Sequence, residues 1–157
     1  MDAAPDAAPH EPAQHAAAQS PLGNRAMMQR DRASAGLGMV VEHTEPGSAI
    51  VSMLVRDDML NGFDVTHGGM IFSLADTAFA IACNDDHHVT LAAGADISFL
   101  KPATLGQTLT ATAVLRTKSG RSGLYDVRVT DEHNVPIAEF RGRSRTTTLA
   151  TPTRAHN

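Results

Sequence analysis

Tryptophan is absent from this chain of 157 residues, tyrosine occurs once, and a single cysteine, Cys83, is present. One cysteine excludes an intramolecular disulfide framework and fits a reducing compartment. Few aromatics leave little material for platforms on which nucleic-acid bases could stack. The formal charge of −4 comes from 13 basic and 17 acidic residues interspersed along the chain, so there is no basic field for nucleic acid. No apolar run reaches the length needed to cross a bilayer. The first residues lack the basic region and sustained apolar stretch of a secretory signal. A soluble, cytoplasmic protein with no membrane partner is the expectation. The length suffices for one domain with a real core.

What is present divides the chain into segments. Residues 1–21 are rich in Ala and Pro, bury too little apolar surface to order themselves, and read as a disordered tail. Their histidines, His10 and His15, are too sparse to suggest a metal site. A domain over 22–148 and a C-terminal tail over 149–157 complete the expected organisation. Residues 24–33 read as a short helix capped by Asn24 and ended near Gly36. Residues 37–45 and 47–55 read as two strands around a turn at Pro46-Gly47. After a polar, Gly-containing loop over 61–69 comes the one long helix, 70–84. Beyond Asp85-Asp86-His87-His88 the period changes to two, giving strands over 89–100, 107–117, 121–131 and 136–148. In the second of these, Leu109, Ala111, Ala113 and Leu115 alternate with Thr108, Thr110, Thr112 and Arg116, the pattern of a half-solvated antiparallel strand. Four such strands in succession with short turns suggest an antiparallel sheet.

The helix carries the chemistry. Met70, Ile71, Phe72, Leu74, Ala75 and the run 78–82 leave it almost no polar face, so other structure must enclose it. Ser73, Asp76, Thr77 and Asn84 fall near one side and form a narrow stripe expected to face a cleft. An ionised carboxylate is costly to bury alone, so Asp76 is either satisfied structurally, by Ser73 or a neighbouring chain, or used chemically. Immediately before the helix, His67-Gly68-Gly69 supplies free backbone N–H groups and the positive end of a helix dipole. A carboxylate near such an anion site points to acyl-transfer or hydrolytic chemistry. One apolar helix wrapped by a curved antiparallel sheet is the architecture the pattern predicts.

The ordered set Asn61-x5-His67-Gly68-Gly69-x6-Asp76-Thr77, continuing as Ala78-Phe79-Ala80 and Ala82-Cys83-Asn84, resembles the PaaI-like (phenylacetate-degradation) group of hotdog-fold thioesterases. The segments 96–102, 123–127 and 140–144 resemble it too, and the similarity covers roughly 24–145. The resemblance implies an α+β hotdog fold, with a curved antiparallel sheet around one long central helix. It implies hydrolysis of phenylacetyl-CoA, hydroxyphenylacetyl-CoA or similar aryl or medium acyl-CoA thioesters, without metal or organic cofactor. It also implies a homodimer formed through the sheet and assembling to a homotetramer, with active sites between subunits. Residue by residue, Asp76 matches the catalytic carboxylate and the Gly68 N–H the group that polarises the thioester carbonyl. Asn61 and His67 match the residues that position thioester and water, and Thr77 matches a polar neighbour. The tail 1–21 lies outside the resemblance, and the charged segment 85–88 departs from it.

Several of these residues have plainer readings. His67 could simply cap the helix, Asn61 before Gly62 is ordinary turn chemistry, and Gly68 and Gly69 serve backbone conformation as well as an oxyanion role. His87-His88 beside two aspartates reads as a solvated loop, because no further ligands recur at metal spacing. Arg141, Arg143 and Arg145 share one strand face and Arg121 sits at a hairpin. Solvated strand charge explains them, but coenzyme A phosphates need a basic rim, so Arg121, Arg141 and Arg143 join Gly69 as candidate CoA contacts. Cys83, in an apolar helix end, reads as core. Two alternatives remain open on this fold: an enoyl-thioester hydratase, and an acyl-CoA-binding sensor, for which no helix-turn-helix pattern is visible before Gly36.

Overall fold

Alternating apolar and polar residues give each strand an inner and an outer face, and the apolar helix fills the inner one. A computed structural model describes residues 22–84 and 87–150. Two helices, α1 (Leu22–Arg30) and α2 (Arg32–Gly36), precede the hairpin of β1 (Val40–Glu45) and β2 (Ser48–Leu54). A short 3-10 turn (Asp57–Met59) and a loop lead to α3 (Gly68–Cys83). Then follow β3 (His88–Phe99), β4 (Thr108–Ser119), β5 (Ser122–Thr130) and β6 (Pro136–Ala150). All pairings are antiparallel, and the six-stranded sheet has the order β1-β2-β4-β5-β6-β3. The sheet curves around α3 without closing, which is the expected hotdog architecture. Among the described residues no helix is long and apolar enough to cross a membrane.

Four details differ from the sequence reading. The N-terminal helix is two helices, and the cap belongs to the second. The Asp31 carboxylate accepts from the Ser34 N–H at 3.0 Å and from its hydroxyl at 2.6 Å. Asn24 lies inside α1, and its buried Oδ1 has no partner among the described residues. Successive strands are not all neighbours: β3 leaves the β4 side and pairs with β6 at the far edge. A hairpin between β3 and β4 is ruled out because the connecting segment is held to other elements, Leu100 N–H to Ile137 O and Gly106 N–H to Val55 O. The long helix starts at Gly68, two residues early, since His67 caps it there. Finally, β6 runs to Ala150, so the domain extends past 148. The expectations for 1–21, Asp85, Asp86 and 151–157 fall outside the described residues.

The core is the seam between α3 and the sheet. Leu74, Ala75, Ala78 and Phe79 of α3 are fully or nearly fully buried, as are Val51, Ala111, Val127 and Phe140 opposite them. Phe79 meets Tyr125 edge-on at 5.4 Å and Phe140 at 5.9 Å between ring centroids, and Phe72 meets Phe140 at 5.4 Å. Such pairs add to simple area burial. The Phe79 ring fits because β6 offers no side chain beneath it: a Cβ at Gly142 would lie 2.7 Å from two of its ring atoms. Gly142→Ala is therefore an overpacking change, expected to cost about 1–3 kcal/mol of stability. Urea denaturation reads this as a lower midpoint at unchanged slope; an unchanged midpoint would mean that the ring yields freely.

Candidate active site

The loop before α3 is built by local chemistry and clamped on both sides. Asn61 Oδ1 accepts the Phe63 N–H at 2.8 Å, the Asn61 N–H donates to Val65 O at 2.8 Å, and Asp64 takes a left-handed φ of 58°. This is an Asx-type turn, so the ordinary turn reading of Asn61 is correct for its oxygen. Its Nδ2 donors have no partner among the described residues. Leu60 and Thr66 form an isolated bridge, and Thr66 gives both its N–H and its hydroxyl to Ala103 O, at 2.7 and 2.9 Å. The His67 N–H donates to Met59 O at 2.8 Å.

His67 is the N-cap of α3, and its Nδ1 accepts the Gly69 N–H at 2.9 Å. An accepting Nδ1 places the neutral ring's proton on Nε2, so the exposed edge of this imidazole is a donor. Gly69, a candidate substrate contact, thus has its N–H committed to the cap. The Gly68 N–H stands at the first helical position, where no intrahelical acceptor exists. It has no partner among the described residues, and the helix dipole adds positive potential there. The tip of the Phe99 ring lies against Gly68: a Cβ there would meet Cζ at 3.0 Å and both Cε atoms at 3.4 Å. No local sequence signal links residues this far apart, and the sequence reading misses the contact.

The polar stripe of α3 resolves into residues with different duties. Ser73 Oγ donates back to Gly69 O at 2.8 Å, so it does not satisfy Asp76. Thr77 is buried, and its hydroxyl shares a 3.0 Å hydrogen bond with Ser34, joining α3 to α2. Asn84 bonds Thr90 through N–H and carbonyl, both at 2.9 Å, and ties the helix end to β3. Asp76 alone is left over: half-buried, with no hydrogen bond or ion pair among the described residues. Burial raises its carboxyl above the ordinary carboxylate range. Eight residues separate it from Gly68, a rise of about 12 Å along the helix.

The arginines gather elsewhere. Phe140 and Gly142 face α3, so Arg141 and Arg143 lie on the outer face of β6. Arg141 and Arg116 flank Asp126, each at 2.7 Å, and Arg143 grips Asp96 at 2.7 and 3.2 Å. The hydrogen bond from Arg143 holds the Asp96 carboxyl below its usual range, and that from Arg141 does the same for Asp126. Arg121, at the exposed β4–β5 turn, has no ion pair among the described residues. Burial pushes the Cys83 thiol up to about 12, so it stays protonated and belongs to the core. His67 and Gly68 therefore stand together at the start of α3 with Asn61 in the loop before them, Asp76 stands about two turns away, and Arg141 and Arg143 are on the opposite side of the sheet.

A half-buried carboxylate and a helix-start N–H, both without a partner among the described residues, are the two groups that acyl hydrolysis needs. Comparison with known proteins agrees. Residues 63–138 match the thioesterase superfamily. The chain is 42% identical over 119 residues to the acyl-coenzyme A thioesterase PaaI of Escherichia coli K12, covering 76% of this chain and 85% of that one. The structure of the E. coli PaaI protein from the phenylacetic acid degradation operon superposes with a TM-score of 0.79 at 39% identity, over 82% of this chain and 93% of that one. A mutant of the phenylacetic acid degradation protein PaaI from Thermus thermophilus gives 0.70 at 33%, over 73% and 97%. The Streptococcus mutans UA159 protein smu.793, solved bound to acetyl-CoA, gives 0.66 at 26%, over 69% and 88%. These relationships set aside the hydratase and the sensor. The chain belongs to the thioesterase superfamily and is an acyl-CoA thioesterase of the PaaI type.

Proposed function

We propose that the enzyme hydrolyses phenylacetyl-CoA, ring-hydroxylated phenylacetyl-CoA or similar aryl and medium-chain acyl-CoA thioesters, in sites that two chains share. The observation that carries the shared site is the spacing on α3. A thioester carbonyl is a single small group, and Gly68 and Asp76 of one helix lie about 12 Å apart along its axis, too far to meet on it. A second chain resolves this by bringing its own Asp76 to the Gly68 of the first. The β3 edge supports such pairing: it is twelve residues long, has no strand partner on its outer side among the described residues, and exposes Leu91. Long apolar edges are templates for strand addition. A homodimer joined along β3, itself assembling to a homotetramer, is the corresponding assembly.

In this reading the Gly68 N–H and the α3 dipole stabilise negative charge on the thioester oxygen. The Asn61 Nδ2 and His67 Nε2 donors of the preceding loop orient the thioester and water. Asp76 of the second chain takes a proton from water, whose oxygen bonds to the acyl carbon; a covalent anhydride that water then opens has the same products. The C–S bond breaks, and the proton ends on the departing thiolate, giving free acid and coenzyme A. No step calls for a metal or an organic cofactor. The raised carboxyl of Asp76 suits a base, since a higher value means stronger proton affinity. Arg121 is the better candidate for a CoA phosphate, because Arg141 and Arg143 already hold carboxylates. The aryl preference draws on the E. coli relative's place in a phenylacetic acid degradation operon.

Thiol release from a panel of acyl-CoA thioesters tests the substrate class. Phenylacetyl-CoA or a hydroxylated form is expected to give the highest kcat/KM. Turnover confined to short or long aliphatic chains would overturn the aryl assignment.

A further inference from the structure

The geometry points to Phe99 as a positioning residue for the reaction: its ring is the wall that holds the Gly68 amide in place and keeps water from it. This rests on Gly68 as the oxyanion donor. Three observations meet here. The ring is aimed tip-first at Gly68, with three ring atoms within 3.4 Å of where a Cβ would stand. The strand carrying it is pinned at that point, since Phe99 pairs with Ala138 and the next amide, Leu100 N–H, bonds Ile137 O at 2.8 Å. The ring is nevertheless 52% exposed, an aromatic surface left open beside the Gly68 amide, which has no partner among the described residues.

Each observation has a physical consequence. A ring fixed by its strand blocks displacement of Gly68 toward β3, so the N–H keeps its aim without reorganising during the reaction. The contact also accounts for a glycine at position 68, because any Cβ would press on the ring. The open half of the ring is apolar surface that a bound thioester covers. Covering it removes water from around the amide, and a lower local dielectric strengthens the N–H bond to the developing oxyanion. The effect falls on the transition state more than on binding, since coenzyme A without its acyl group lacks the thioester carbonyl that this amide meets.

The test is a double-mutant cycle on the assembled enzyme, using whichever acyl-CoA it turns over fastest. Phe99→Ala is expected to lower kcat by about 10–100-fold, because small misplacements at a reacting centre cost on that order. KM and inhibition by free coenzyme A should change less than about threefold, the signature of an interaction made only in the transition state. Phe99→Leu, which keeps an apolar wall, should recover most of the rate. Gly68→Ala retains the N–H but displaces the ring, and should lose rate comparably. The double variant should then be no worse than the poorer single, because coupled residues are non-additive. Losses that multiply in the double variant, or a folded Phe99→Ala with the original kcat, overturn the inference. If Phe99→Ala does not fold, Gly68→Ala and Phe99→Leu/Gly68→Ala carry the same comparison. Failure of the aryl assignment leaves this result readable, since the cycle can be run on any thioester substrate.

Discussion

Asp76→Asn is expected to lower kcat by about 10²–10⁴-fold, the usual worth of a positioned general base, with KM changed little. The carboxamide keeps the size of the side chain and removes its basicity, so a loss of rate reports chemistry and not packing. The same substitution should raise stability at neutral pH. Burial raises the folded-state value of Asp76 above that of the unfolded chain, so the native state holds this proton more tightly. Its stabilising contribution is complete below the ordinary carboxylate value and is lost as pH rises through the raised one. At neutral pH the enzyme carries the cost of a half-buried charge, and the Asn variant does not. Melting curves should show the variant above the parent at pH 7 and the gap closing in acid. Activity runs the other way, falling as pH drops through the raised value and the base is protonated. An Asn variant with the parent's kcat would remove Asp76 from the reaction.

Breaking the β3 edge is expected to abolish activity to a similar degree without touching a reacting group. Ala93 is the suitable site. It falls at the register shift between Ala92 and Gly94 and has no partner residue on β6, so Ala93→Pro spares the paired rungs. Proline lacks an N–H and blocks strand addition on the open side. Sedimentation should show loss of the dimer. Thiol release should fall by about 10³-fold or more, since separated groups forfeit the advantage of a preassembled site. A stable monomer of full activity would show that Gly68 and Asp76 act on something other than one shared thioester.

The elements were readable in the chain wherever the signal was local. The apolar run of α3, the two-residue period of β4 to β6 and the turn at Pro46-Gly47 depend on neighbours a few positions apart. So does the start of α3, which differs by two residues only because the His67 ring takes the first-turn amide of Gly69. Asn24 and Asp31 are both good caps by residue type. Asp31 wins because Ser34 stands three residues on, with an amide and a hydroxyl in reach. Thr77 and Asp76 looked alike as members of one stripe. They diverge because the buried hydroxyl of Ser34 on α2 meets one and nothing described meets the other. Arg141 and Arg143 read as candidates for coenzyme A as well as strand-face charge; their carboxylate partners sit on other strands and could not be assigned from the chain alone.

The sequence by itself determined that one enclosed helix carries a lone carboxylate, that a glycine turn with a free amide precedes it, and that a sheet must cover it. Period and turn chemistry are properties of contiguous residues, and the costs of burying charge and exposing apolar surface follow from residue type. Only the tertiary structure decided that β3 lies at an edge beside β6, that the Phe99 ring closes over Gly68, and that every polar neighbour of Asp76 on the helix is already bonded elsewhere. Those facts join residues distant in the chain, and the pairings that set them compete on geometry that no local pattern encodes.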